Sequence, residues 1–444
     1  MPERKITDLE SIKASKAFCM KPWVHLFVSH FGTVVPCCLT PWEKEQALGD
    51  INEQTVEEIW QGKPMREFRV KLMNDEQDDR CGQCYENEKV GLRSTRQITN
   101  LLYADKLNWV LGTLPDGTAP DSKPVYWDIR ISNLCNFKCR ICGHHSSSAW
   151  YEDAKALGLL SHDVKLHRGP KDFDKLLNQL EFVIPDLEEI YFAGGEPLIM
   201  EEHYRILQML IERNKTNITL RYATNFSQTT YKDLDAFKLW AQFEDVYVHA
   251  SLDGTYQRGE LQRSGQSWQQ VVANRQRMQE VCPNVFFTIA PTLSVFNLFH
   301  LPDFHREWTE TGLIRIDEFI PHMLKHPAEY NIRILPPPLK KKAEEKLSRH
   351  VQWLMDYSRQ HPPEPLPQKQ LQKIKGRFNW LKSQGPTGHL KLDMVINEFR
   401  NTITFMNSQD DSHLLAAFRK KCADLDRLRG ENTQAVFPEL AELF

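Results

Sequence analysis

From residue 125 to about residue 320 the chain alternates short apolar runs with longer amphipathic ones. The short runs are rich in β-branched and aromatic residues and read as buried strands: 125–131, 189–193, 218–224, 246–252, 285–292 and 315–319. Between them lie stretches with helical spacing of apolar positions, such as 173–183, 203–213 and 268–281. Six β–α units predict an α/β fold, a parallel sheet with helices packed outside it. The spacing suits a partial (β/α)6 barrel and equally a doubly wound sheet.

The pattern differs on either side of this region. Before it, residues 1–100 open on a polar stretch and hold two short apolar runs, 25–28 and 33–35, around a turn at Phe31-Gly32. Thr55 is placed to cap a helix whose apolar stripe includes Val56, Ile59 and Trp60. Residues 101–124 read as a connector, with LPDGTAPDSKP as its flexible part. Beyond the barrel-like region, residues 331–444 read as helices. Pro336, Pro337 and Pro338 form a stiff break, and HPPEPLPQ forms a second proline-rich linker. One late helix, 411–429, carries Leu414, Leu415, Phe418, Leu425 and Leu428 on an apolar face, placed to cover an open barrel mouth. The expected units are therefore 1–100, the connector 101–124, 125–330 and 331–444.

Composition narrows the function classes. Over 444 residues, 41% apolar and 26% charged content are those of a globular protein. A net charge of −3 gives no pull toward nucleic acid or an anionic membrane. No apolar run approaches the roughly 18 residues of a membrane span, and the polar start lacks a signal core. Eight of the ten cysteines precede residue 143, several in tight pairs. Without a secretory signal, metal ligation accounts for them better than disulfides do, and a reducing cytoplasm is the expected location.

The chemistry centres on NLCNFKCRICGHH, where Cys135, Cys139 and Cys142 follow the first strand with C-x3-C-x2-C spacing. Three thiolates on a cubic four-iron cluster leave one iron free to bind and polarise a substrate. The alternative is a zinc knot with His144 or His145 as fourth ligand. The second strand ends in Gly194-Gly195-Glu196-Pro197. Loops at the C-terminal ends of strands are where α/β folds place their chemistry. SSSAW, immediately after the cysteine loop, reads as the capped start of a helix. In the first unit Cys19, Cys37, Cys81 and Cys84 make a complete ligand set, with Cys38 as a spare; a zinc ribbon is the alternative. Asn225, Ser251, Arg263, Thr292, Ser294 and Asn297 stand at or after later strand ends, where ordinary turn chemistry also favours them. Cys282 reads as structural. Cys422, on the late helix, reads as a packed apolar thiol.

The C-x3-C-x2-C loop and the GGEP segment, in order and on successive strands, resemble the radical S-adenosylmethionine (SAM) enzymes. Ile141 departs from the aromatic residue usual before the third cysteine but keeps an apolar cover. The resemblance implies a partial (β/α)6 barrel of TIM-like type, a 4Fe–4S cluster on Cys135, Cys139 and Cys142, and a methionine contact at Gly194, Gly195, Glu196 and Pro197. It further implies contacts to SAM from Ser251 and Arg263, and from Asn225. Cys19, Gly32 and Cys37, with the LGDI and EIW segments, resemble SPASM and twitch domains. With no cysteine between Cys84 and Cys135, the shorter twitch form is expected, holding one auxiliary 4Fe–4S cluster on Cys19, Cys37, Cys81 and Cys84. Such domains usually follow the barrel; here the unit precedes it. The implied reaction is reductive cleavage of SAM to methionine and a 5′-deoxyadenosyl radical that takes hydrogen from a substrate. An electron donor such as flavodoxin or ferredoxin is implied. The SPASM resemblance favours a ribosomal peptide or protein substrate, altered by epimerisation, cross-linking or oxidation, and in an epimerase Cys422 would be the hydrogen donor. The rival readings are a small-molecule substrate and a non-enzymatic iron–sulfur or zinc scaffold; GGEP favours the enzyme.

Overall fold

The computed structural model describes residues 4–42, 44–89, 94–160, 163–361 and 390–444. Its centre is one eight-stranded sheet. We number the strands β1 (His25–Val28), β2 (Thr33–Val35), β3 (Gly49–Asp50), β4 (Tyr126–Ile129), β5 (Glu189–Phe192), β6 (Thr219–Thr224), β7 (Asp245–Ala250) and β8 (Phe286–Ile289). Their order is β8-β7-β6-β5-β4-β1-β2-β3. Strands β4 to β8 are parallel, as the five apolar runs predicted. The fold is α/β, with the mostly parallel sheet of a partial barrel.

Strict alternation separates the two faces. Trp127, Ile129, Ile190, Leu220, Tyr222, Val246 and Val248 belong to one buried apolar cluster with residues of the helices Phe173–Leu180, Glu201–Glu212 and Trp268–Val281. Asp128, Tyr191, Arg221 and Tyr247 take the other face and make a polar barrel interior. There Arg221 Nε donates to Glu189 Oε1 at 2.7 Å, and its guanidinium lies 4.7 Å from the Tyr247 ring centroid.

The run 315–319 does not form the expected sixth strand. It makes a single bridge, Ile289 to Phe319. The reason is local: Glu318 N donates to Arg315 O at 3.0 Å and Arg315 N to Glu318 Oε2 at 2.9 Å, so the charged residues close a turn. Parallel pairing resumes just beyond it, His322 with Thr292 and Met323 with Leu293, and a further parallel strand joins the eight-stranded sheet at its opposite edge. Strand β1 pairs with β4 in parallel register, His25 with Tyr126 through Val28 with Ile129. The first unit thus continues the barrel's sheet, and β2 and β3 extend it antiparallel.

Residues 101–124 are anchored, where their composition suggested a loose connector. Tyr103, Val110 and Ala119 join a second apolar cluster with Phe18, Trp23, Trp60 and Phe68. Trp23 Nε1 donates to Thr113 Oγ1 at 2.8 Å, and Trp60 Nε1 to Ser122 Oγ at 3.1 Å. The Thr55 cap forms as expected, in a reciprocal box with Glu58 that starts the helix Val56–Trp60.

At the other end, Pro336 caps the helix Pro337–Gln360, with Pro337 and Pro338 in its first turn, where the missing N–H groups cost nothing. That helix packs beside Leu390–Asn407. Apart from His361, the second proline-rich linker lies outside the described residues. Among the described residues, no helix is long and apolar enough to cross a membrane.

Candidate active site at the strand ends

The loop carrying Cys135, Cys139 and Cys142 leaves the C-terminal end of β4, as the sequence predicted. Its path is fixed by polar neighbours. Asn133 Nδ2 donates to His144 O at 3.0 Å, and Cys142 N to Cys139 O at 3.0 Å. The SSSAW serines do not cap a helix. Ser147 Oγ instead donates to Phe137 O at 2.6 Å, and Trp150 Nε1 to Cys139 O at 2.7 Å. The helix Tyr151–Ala156 starts after a 3-10 turn with no side-chain cap. The segment braces the cysteines, and a hydroxyl inside a tight loop found a nearer acceptor than the helix start.

Gly194-Gly195-Glu196-Pro197 ends β5 and presses on that loop. Glu196 N donates to Leu134 O at 2.7 Å. Gly195 has φ +57°, and a Cβ there would lie 2.2 Å from Leu134 O, so only glycine allows this approach. The Glu196 side chain is spent inside the protein. It accepts from Thr224 Oγ1 at 2.6 Å, Asn225 N at 2.6 Å and Leu198 N at 3.1 Å. Burial pushes its carboxyl up to about 7, against the pull of those three donors.

Asn225, Ser251 and Arg263, among the later strand-end residues, approach the same place. Asn225, after β6, donates from Nδ2 to Asn136 Oδ1 at 2.8 Å, and Asn136 donates in turn to Ser227 Oγ at 3.0 Å. Ser251, after β7, is half-buried and donates its backbone N–H to Thr224 O at 2.8 Å. Arg263 is buried; its Nε lies 2.8 Å from Asp253 Oδ2 and its Nη1 3.7 Å from Cys139 Sγ. Asp253 was not singled out from the sequence, although it stands in the same SLDG segment as Ser251. Asn297 donates to Thr292 O at 3.0 Å and serves its own turn.

The three thiols interact. Cys139 and Cys142 share a hydrogen bond that lowers the first and raises the second, while burial pushes Cys135 up to about 12. One buried and two half-buried thiols on a single loop, with the Arg263 cation beside Cys139, are a donor set that suits an iron–sulfur cluster, since metal binding removes the protons that burial otherwise retains.

A second thiol set forms in the first unit. Cys19, Cys37, Cys81 and Cys84 line one pocket together with Lys21 and Arg96. Cys19 precedes the short helix Lys21–Val24, and Cys37 follows β2. Cys81 closes a 3-10 turn, and Cys84 sits one turn on in the helix Gly82–Lys89, which puts the C-x2-C pair on one side. Burial pushes Cys19 up to about 12 and raises Cys81 and Cys84, and the neighbouring thiols add to the shift. Among the described residues, no three His, Cys, Asp or Glu side chains converge as tightly as a single bound ion requires. Cys38 is not in this pocket. It neighbours Asp128, Arg130 and Tyr191 on the polar face of the barrel.

Cys422 is 1% exposed, on the buried stripe Phe418, Cys422 and Leu425 of the helix Leu415–Arg429. The packed-thiol reading accounts for that placement; Leu428, expected on the same face, is 39% exposed. The helix reaches the cysteine loop through Arg140, a residue the sequence reading passed over. Its fully buried guanidinium, between Cys139 and Cys142 in the chain, pairs with Asp426 and Glu431.

No curated protein matches the chain. Several solved structures resemble it, three of which follow. The first, native anSMEcpe with bound AdoMet and Cp18Cys peptide, is 16% identical with TM-score 0.34, over 51% of this chain and 58% of that one. The second, SuiB of Streptococcus suis bound to precursor peptide SuiA, is 15% identical with TM-score 0.36, over 76% and 69%. The third, TYW1 with a lysine-pyruvate adduct bound, is 14% identical with TM-score 0.28, over 52% and 71%. The chain thus spans little more than half the length of the first of them. Two family models match. Residues 19–85 match the SPASM iron–sulfur cluster-binding domain, and residues 129–302 match the radical SAM superfamily. The matched segments contain the two cysteine sets: residues 129–302 form a radical SAM domain, and a SPASM iron–sulfur cluster-binding domain precedes it in the chain.

Proposed function

We propose that Cys135, Cys139 and Cys142 hold the SAM-binding 4Fe–4S cluster, that Cys19, Cys37, Cys81 and Cys84 hold a single auxiliary 4Fe–4S cluster, and that the substrate is a ribosomal peptide or protein. The observation that carries the cluster reading is the contact between two strand-end loops. Gly195 allows the GGEP backbone to lie against Leu134, the residue before Cys135. With Glu196 turned inward, the half-buried backbone of Gly194 and Gly195 is what remains to receive the methionine end of SAM. Ser251 and Asn225, on the next two strand ends, border the same space, Asn225 chiefly by holding Asn136 in place.

A cluster held by Cys135, Cys139 and Cys142 would pass an electron from an external one-electron donor to bound SAM and so supply hydrogen-abstracting radical chemistry. The protein's part is to hold these groups, exclude water and present the substrate to them. The polar barrel face, with Arg221, Tyr247 and Tyr191, lies below the strand ends and offers hydrogen-bonding and aromatic contacts suited to a peptide segment. The peptide reading is supported by the match to a SPASM iron–sulfur domain, whose proposed ligand Cys37 follows β2 of the same sheet.

The test is anaerobic reconstitution. The chain is expected to bind about eight irons, four per cluster. Replacing Cys135, Cys139 and Cys142 by Ala together should leave about four. Stoichiometric zinc in protein purified without oxygen would overturn the cluster reading. Incubation with SAM, dithionite and candidate peptides, followed by mass spectrometry, tests the substrate class.

A further inference from the structure

Arg263 is held from two sides. Its backbone pairs with Cys139 in a short antiparallel ladder, Arg263 to Cys139 and Ser264 to Lys138. Its Nε lies 2.8 Å from Asp253 Oδ2, and Asp253 is itself 1% exposed and locked by accepting from Thr292 N at 2.7 Å. With one edge of the guanidinium taken by Asp253, Nη1 is aimed at Cys139 Sγ, 3.7 Å away. The side chain is 7% exposed, so little of it is left to reach toward a ligand.

A charged donor on a cluster-ligating sulfur stabilises the electron that arrives when the cluster is reduced. Asp253 offsets part of the net charge but leaves the directed N–H···S contact intact. We propose that Arg263 is a positioning residue that donates from Nη1 to the Cys139 sulfur and raises the reduction potential of the cluster held by Cys135, Cys139 and Cys142. This rests on the cluster reading above and assigns Arg263 to the cluster sulfur, in place of the SAM contact its sequence position implied.

The test needs no substrate. The full chain and its Arg263→Lys and Arg263→Gln variants are reconstituted anaerobically. The reduced-cluster signal is followed by electron paramagnetic resonance during redox titration without SAM. The variant lacking Cys135, Cys139 and Cys142 identifies the auxiliary signal. The expected result is a more negative midpoint for the Cys135 cluster in both variants, larger for Gln than for Lys, with iron content kept and the auxiliary midpoint unmoved. An unchanged midpoint overturns the proposal, and a simultaneous loss of SAM affinity would reassign Arg263 to SAM. Loss of that cluster's iron in both variants also overturns it, since Arg263 would then be structural. Failure of the cluster reading appears separately, as only one iron–sulfur signal in the unsubstituted chain.

Discussion

The Arg140 clamp makes a quantitative expectation. Arg140 lies between two cysteines of the barrel loop and has no exposed side-chain surface, while its partners Asp426 and Glu431 are 22% and 18% exposed. Burial works against its charge, and the two carboxylates more than offset that. Neutralising both partners, Asp426→Asn with Glu431→Gln, leaves a buried cation unpaired. Breaking a buried pair in this way costs about 3–5 kcal/mol. Asn at 426 keeps an oxygen for Thr433, whose N–H bonds Asp426 at 2.7 Å, so the turn that follows is largely spared. Adding Arg140→Met removes the stranded charge and fills the space beside Phe296, 6.0 Å from the guanidinium. The triple variant should recover roughly 2 kcal/mol or more over the double, because apolar replacement of a buried ion pair is close to neutral.

The assay is urea unfolding of the metal-free chain, with hydrogen exchange in the helix Leu415–Arg429 as a local readout. Protection in that helix should fall in the double variant and return in the triple. A triple variant no more stable than the double would refute the reasoning, because the cost would then not come from an unpaired charge. The same series bears on function: loosening the helix loosens the loop between Cys139 and Cys142, so the double variant should retain less iron after gel filtration.

Other expectations follow from the strand ends. Gly195→Ala combines φ +57° with a Cβ 2.2 Å from Leu134 O, whereas Gly312→Ala has φ +72° in open space. The second should cost about 1–2 kcal/mol from backbone strain alone and the first clearly more, measured by urea unfolding; equal costs would mean that the two loops do not touch. Glu196 has its carboxyl raised from 4.5 to about 7, so its contribution is fullest below the unfolded value and is lost as pH rises through 7. The unfolding midpoint of the metal-free chain should therefore fall between about pH 5 and pH 8, and Glu196→Gln should flatten that slope; an identical slope in the variant would exclude Glu196 as the source. Cys422→Ser puts a hydroxyl at a 1% exposed site between the buried Phe418 and Leu425 and beside the Arg140 guanidinium, and should cost about 1 kcal/mol; unchanged stability would argue against a packed thiol.

Much of this protein is set by local sequence. Five of the six strands, the Thr55 cap, and the helix Trp268–Val281 follow from apolar period and capping residues, which act over a few neighbours. Both cysteine sets are legible too, because thiols at such short fixed spacings are the pattern of metal and cluster ligands. What needed the tertiary structure was every pairing across long separations. The parallel partner of β4 is β1, a strand about a hundred residues earlier, and no periodicity encodes which edge a strand joins. The charges of 315–319 closed a turn instead of a strand, a contest of hydrogen bonds that an apolar pattern does not report. Serines that read as a helix cap brace the cysteines because an acceptor folded nearer to them. Arg140 and Asp253 look like ordinary surface charges in sequence; burial against partners distant in the chain, or beside Arg263, gives them their weight. Residue types and short spacings determine which chemistry is available, while the packing of distant segments decides which charges lose water and therefore which sulfur each cation faces.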